Sequence, residues 1–300
     1  MAANETVQPV IKAVRADLYA VDTPLRRTIR RFRRHRLAVL GLGIVLVLIV
    51  LAVVGSEAAA NKQNLAGANL PPSAAHWLGT DQIGRDVLSR TLVGGRVSLL
   101  VGLVSVFFST SIGIVLGALA GYYRRLDVVI MSAVAIVMSF PTIVLLLVAV
   151  ALLGPGILNM MIMIGLLTWT YPCRIVRGQF LQLREADFVM AAQVMGVRDR
   201  AIVLRHILPN SLAPLLVYAS LGVATVVLLE AGLSYLGLGV QPPTPSWGNM
   251  LNTARSLTTF ERQPWEWVPP AILTVTFVLA VNFVGDGLRD AFDPRSTHDR

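Results

Sequence analysis

Long uncharged runs, separated by short arginine-rich segments, dominate the pattern of this chain. A helix crossing about 30 Å of hydrocarbon needs about 20 apolar residues, and six runs approach or exceed that length: 37–54, 97–121, 128–153, 157–171, 211–235 and 268–285. The fourth, ILNMMIMIGLLTWTY, is short unless it continues to Cys173 or beyond, so five is the fallback count. Two sizeable loops, 55–96 and 239–267, and a turn at Gly154-Pro155-Gly156 connect the runs. The expected fold is all-α, a polytopic membrane bundle of six spans. Residues 1–36 form a basic tail, 37–285 the membrane domain and 286–300 a second tail.

Composition agrees with the pattern. Hydrophobic residues make up 55% and charged residues 14%, with mean hydropathy +0.66, whereas soluble domains carry about 25% charge. The net charge of +9 rests almost wholly on arginine, since Lys12 and Lys62 are the only lysines. With six spans and an inside N-terminus, 20 of the 26 basic residues fall inside and six outside, as the positive-inside rule requires. Removing a span would place the arginine-rich 171–210 segment outside. Both termini are therefore expected in the cytoplasm of a cell-membrane protein. The basic leader PLRRTIRRFRRHR precedes the first run directly; there it orients the span and meets anionic lipid headgroups rather than nucleic acid. The run after it is 18 residues, longer than a signal-peptide core, and is read as an uncleaved span.

Several residues inside the runs stand out. Ser109, Gly113, Gly117 and Gly121 are spaced by four, a small-residue stripe that lets another helix approach closely. Pro141 should kink the third span and free a backbone carbonyl. Glu230 is an intramembrane carboxylate, by default a functional candidate, but it stands about 28 Å above Ser211 at 1.5 Å per residue and so lies near the outer surface. It is either a gating or pathway group or a structural bond that fixes the loop. Asn282 is similarly ambiguous, with interhelical hydrogen bonding as its alternative. Arg85, Asp86 and Arg90 in the outer loop either meet a partner or form a solvated face. The lone cysteine, Cys173, excludes an intrachain disulfide, and the four scattered histidines have no metal-ligand spacing.

The segment 186–210 reads ADFVMAAQVMGVRDRAIVLRHILPN. Phe188, Ala191, Ala192 and Met195 share one helical face. Asp187 is a candidate N-cap, Gly196 a helix terminator, Asp199 a second N-cap and Pro209 a stop. The pattern is helix, glycine turn, helix, then the fifth span. The shallow alanine face suits either a groove on a partner protein or the membrane interface.

The spacing Ala191-Ala192-x-x-x-Gly196, followed by Ile207-x-Pro209, resembles the EAA loop of ABC importer permeases, which docks on the ATPase subunit. HWLGTDQIGRDVLSR (76–90), LLEAGLSYLGLGVQPPTPSWGNML (228–251) and GDGLRDAFDPR (285–295) resemble the dipeptide/oligopeptide/nickel branch, and its C-type subunits most closely. The similarity covers about residues 25–295, and Met190 stands where the family has the glutamate that names the motif. The resemblance implies a type I ABC importer permease fold and an amphipathic elbow in the leader. It also implies a homologous second permease subunit as heterodimer partner, cytoplasmic ATPase subunits and an extracytoplasmic binding protein. Asp187, Phe188, Ala191, Ala192, Met195 and Gly196 then form the ATPase-docking helix; Glu230, Asn282 and Pro141 are candidates for translocation or gating. Independently, a P-loop needs Gly-Lys-Ser/Thr and neither lysine follows a glycine, so ATP and Mg belong to another chain and no cofactor or metal is expected here. The function expected is a non-enzymatic peptide-import subunit, the alternative a stand-alone secondary transporter or channel. The cargo stays open among dipeptide, longer peptide, nickel chelate and haem.

Overall fold

The computed structural model describes residues 24–292; residues 1–23 of the basic tail and 293–300 of the C-terminal tail lie outside the described residues. Among the described residues there is no strand. Ten helices organise the chain: α1 (Pro24–Arg34), α2 (Arg36–Val54), α3 (Val87–Tyr122), α4 (Arg124–Met138), α5 (Thr142–Leu153), α6 (Ile157–Thr168), α7 (Thr170–Leu183), α8 (Asp187–Val194), α9 (Leu208–Tyr235) and α10 (Pro264–Phe292). Short helical turns fill the loops.

Four helices are long and apolar enough to cross a bilayer unaided: α2, α3, α10 and the continuous run Asp199–Tyr235 that ends as α9. The bent pair α4 and α5 makes a fifth if taken as one span. The expected third span is thus not a kinked rod, because its halves meet at 86°. Pro141 has no N–H for the Val137 carbonyl and itself adopts an extended ψ of 125° between the two halves. The expected fourth span continues past Cys173 to Leu183 but breaks at Trp169 into α6 and α7. Pro172 cannot donate to the Thr168 carbonyl four residues back, which accounts for the break.

α3 is the axis of the bundle. At 36 residues it is about 54 Å long, well beyond the hydrocarbon thickness, so its first turns stand in the loop layer. Asp86 caps it through a 2.8 Å bond from the Ser89 N–H. α2, α9 and α10 lie against its first half, burying Leu48, Leu99, Val227 and Phe277 together, while α6 and α7 run beside it toward its end. There the small-residue stripe meets α7 and α6. A Cβ at Gly113 would fall 2.7 Å from the Pro172 ring and one at Gly117 2.5 Å from the Cys173 carbonyl, and one at Gly121 would overlap Phe180. Ser109 faces Gly165 of α6 and bonds to its own helix at Val106. Small residues at these positions are what permit the contact.

The two ends of the bundle differ. One carries the loops before α3 and between α9 and α10, joined where Trp265 donates to the Thr80 carbonyl at 3.2 Å and Gln82 reaches Thr259. There too Trp267 stacks on Phe260 with centroids 5.0 Å apart. The opposite end carries α8, where a second core gathers Val176, Phe180, Val189, Ala192, Ile202, Ile207 and Leu215.

Candidate functional site

α8 begins at Asp187 with Ala186 as its N-cap residue, so Asp187 occupies the first turn rather than the cap. It ends as the sequence indicates. Gly196 adopts φ +74°, its N–H donates to the Gln193 carbonyl and the Val197 N–H to the Ala192 carbonyl, the paired bonds of a Schellman termination. Asp199 likewise follows Arg198 in the cap position. Pro209 does not stop the next helix: residues Ile202–Ile207 widen into a π-helical stretch that admits the proline and leads straight into α9.

The face read from periodicity divides in two. Val189 and Ala192 are buried in the second core, whereas Phe188, Met190, Ala191, Val194 and Met195 are exposed, Val194 to 89% and Met195 to 75%. Ala192 therefore anchors the helix instead of belonging to its open face. Val194, outside the expected set, is the most exposed part of that face. At about 100° per residue, Met190, Ala191 and Val194 lie away from the two buried positions, whereas Phe188 and Met195 flank Ala192 at about 40° and 60° and form the edge of the open face. An eight-residue helix is thus held from behind by two small apolar anchors and presents an uncovered apolar patch at the bundle's end. Nearby, Tyr122 at the end of α3 donates to Asp199 at 2.7 Å, and Arg177 of α7 makes a two-pronged ion pair with Asp127 of α4, at 2.5 and 2.8 Å.

Halfway along the bundle two cavities of about 370 and 310 Å³ adjoin at Thr142 and Tyr171. The first lies in the elbow between α4 and α5 and is lined by Pro141. The second carries the hydroxyl groups of Ser109, Thr168, Tyr218 and Thr225, besides Thr142 and Tyr171, among apolar side chains. These hydroxyl groups can hydrogen-bond a polar solute without presenting a charge. Sequence reasoning passed over all of them but Ser109, although Tyr218, Gly222, Thr225 and Leu229 recur at helical spacing on α9.

Neither Glu230 nor Asn282 lines these cavities. Asn282 is half-buried on α10, and its amide has no hydrogen bond among the described residues. Glu230 is fully buried and accepts three serine hydroxyls: Ser98 at 2.8 Å, Ser234 at 2.7 Å and Ser246 at 2.8 Å. All three oxygens also accept backbone N–H groups, Ser98 from Trp247, Ser234 from Val240 and Ser246 from Asn249. Glu230 is therefore the knot that ties the α9–α10 loop to α3 and α9.

The GTDQIGRD segment is similarly internal rather than a solvated face. Asp81 accepts the Ile83 and Arg85 N–H groups and pairs with the Arg85 side chain at 2.6 Å, and Arg90 is buried beside it. Asp86 also binds His76 at 2.9 Å. Burial would raise the Asp86 carboxyl, but the Ser89 and His76 bonds outweigh it and hold the group below its ordinary value.

Comparison with known proteins fits this arrangement. The family described as binding-protein-dependent transport system inner membrane component matches residues 113–298, and the N-terminal transmembrane domain of oligopeptide transport permease C matches 23–72. A protein of Brucella suis, provisionally named a peptide permease, is 46% identical over 278 residues, covering 91% of this chain and 92% of its own. The dipeptide transport system permease protein DppC of Alkalihalophilus pseudofirmus is 40% identical and covers 93% and 92%. The glutathione transport system permease protein GsiD of Pectobacterium atrosepticum is also 40% identical and covers 92% and 93%. Among solved structures, a chain of the MetNI methionine ABC transporter in an inward-facing conformation superposes with a TM-score of 0.56 at 21% identity, covering 68% of this chain and 97% of that one, which establishes the likeness of fold. With its bundle, its capped α8 and these relatives, the chain belongs to the family of inner membrane components of binding-protein-dependent transport systems.

Proposed function

We propose that this chain is the membrane subunit of an importer for short peptides, driven by a separate ATPase that docks on the exposed patch of α8. The observation that carries the reading is the patch itself, five apolar side chains left open at one end of the bundle while Val189 and Ala192 fix the helix to its core. Peptide cargo rests on the relatives, whose names refer to peptides, dipeptides and glutathione. The arginine distribution supports a cytoplasmic α8 end with both termini on that side. It also supports six crossings, counting α4 with α5 and α6 with α7. A homologous second permease subunit covers the lipid-depth faces left open here, a binding protein delivers cargo to the opposite end, and ATP and Mg stay on the ATPase.

The geometry supplies a route for coupling. The core that holds α8 includes Val176 and Phe180 of α7 and Leu215 of α9, and the same two helices carry Tyr171 and Tyr218 into the cavity. A push on α8 moves both walls as one packed unit, because such cores rearrange between discrete states instead of deforming smoothly. The family and the fold give no support to a stand-alone carrier or channel. Ala191→Arg and Val194→Arg test the reading: the chain should still insert, while peptide uptake falls at least tenfold and the ATPase no longer co-purifies. Wild-type uptake in both variants would remove α8 as the docking site.

A further inference from the structure

The loop-bearing end holds a cavity of about 280 Å³, near the small end of ligand pockets, that shares no lining residue with α8 or with the two mid-bundle cavities. Glu266, in the first turn of α10, lines it and is buried, and neither carboxylate oxygen has a hydrogen-bond partner among the described residues. Buried polar groups are ordinarily satisfied, and a carboxylate left without donors is costly. The adjacent guanidinium groups do not fill that need. Arg85 and Arg90 both turn to Asp81, at 2.6 and 3.5 Å, and Arg90 also donates to the Ala60 carbonyl at 3.4 Å.

Charge and ligand number narrow what can enter. The two carboxylates and two guanidinium groups cancel, so a bare cation would leave the cluster positive. A divalent metal needs six or more oxygen ligands and would find one free carboxylate beside two arginines. A zwitterion keeps the balance. Its ammonium offers three donors to Glu266, and its carboxylate can take the terminal nitrogens of Arg85, whose bond to Asp81 uses Nε. Gln241 and Asn252 add polar rim to the same cavity. We propose that this cavity binds a small zwitterion, a free amino acid or dipeptide, with its ammonium on Glu266 and its carboxylate on Arg85.

The test uses the purified complex of this chain with its partner subunits, without ATP or binding protein, so the outcome is separate from whether the chain carries peptide. Calorimetric titrations with dialanine, N-acetyl-dialanine and dialanine amide read the site directly. Saturable dialanine binding is expected, at least tenfold weaker for either blocked form and at least tenfold weaker in Glu266→Gln, which keeps the side-chain shape. Thr253→Phe fills the cavity without touching a charge and should weaken dialanine binding by a similar factor, which keeps the test decisive if Glu266→Gln does not assemble. Absence of saturable binding, equal affinity for N-acetyl-dialanine, or binding unchanged by both substitutions would overturn the proposal.

Discussion

Glu230→Ala and Glu230→Gln separate the two roles a carboxylate in this position can have. The geometry makes Glu230 a fastener: one acceptor group holds Ser98, Ser234 and Ser246, which come from α3, α9 and the loop that follows α9. Hydrogen bonds to a charged group contribute about 1.5–3 kcal/mol each. Removing the carboxylate orphans three buried hydroxyl groups and loosens the backbone bonds from Trp247 and Val240 that depend on them. Each buried group left unsatisfied costs about 1–3 kcal/mol and such bonds are not additive, so the expected cost of Glu230→Ala is about 3–5 kcal/mol. Glu230→Gln keeps one oxygen for two of the serines and loses one charge-assisted bond, costing about 1.5–3 kcal/mol. Thermal unfolding of the purified complex gives the order wild type, Gln, Ala, and limited proteolysis should nick the 236–252 loop in the same order. Uptake should fall only as the loop becomes cleavable. If Glu230→Gln abolished uptake while leaving the melting temperature and the protease protection at wild-type values, Glu230 would be a pathway group and the fastener argument wrong.

Other substitutions probe the packing and the outer loop. Gly117→Val forces a side chain into the Cys173 carbonyl and should cost at least about 1–3 kcal/mol by overpacking, seen as lost melting temperature. Gly43→Ala, with nothing within 4 Å of the added methyl, should instead be neutral or stabilise α2 by about 0.5–1 kcal/mol. Asp86→Asn keeps an oxygen to cap α3 but removes the negative charge at its N-terminus and beside His76, and should cost roughly 0.3–1 kcal/mol at neutral pH. Because the Asp86 carboxyl is held below its ordinary value, its contribution is present above the carboxylate range and lost as pH falls through its folded pKa. Melting curves of wild type and Asp86→Asn should therefore converge on acidification, and a gap that widened instead would contradict the assignment.

Much of the bundle was legible because uncharged runs and arginine clusters are local signals. α2, α9 and α10 begin within a few residues of where hydropathy places them, and Gly196 ends α8 as its type suggests. Hydropathy missed the first ten residues of α3, since its opening turns carry Arg90 and Arg96, which hydropathy scores as loop. Long-range partners supply what hides them: Asp81 beside Arg90, and for Arg96 the Ala52, Val53 and Gly55 carbonyls. Pro141 announced a bend but not its size of 86°. Glu230 stayed open between a pathway group and a structural bond because its serine partners include Ser98, 132 positions away. Periodicity grouped Ala192 with Ala191, and only the packing against Val176 and Phe180 shows that one of the two is buried and the other open.

Site-specific crosslinking between α8 and the ATPase tests the central claim most directly. Cys173 is buried, so a cysteine introduced by Val194→Cys reports on the patch with little background, and Trp77→Cys, exposed at the opposite end, is the control. Treating membranes that contain the assembled complex with a short reagent carrying one thiol-reactive and one photoreactive arm should join this chain to its ATPase from position 194 and not from position 77. An adduct from position 77, or none from 194 while the complex stays assembled, would contradict docking at α8.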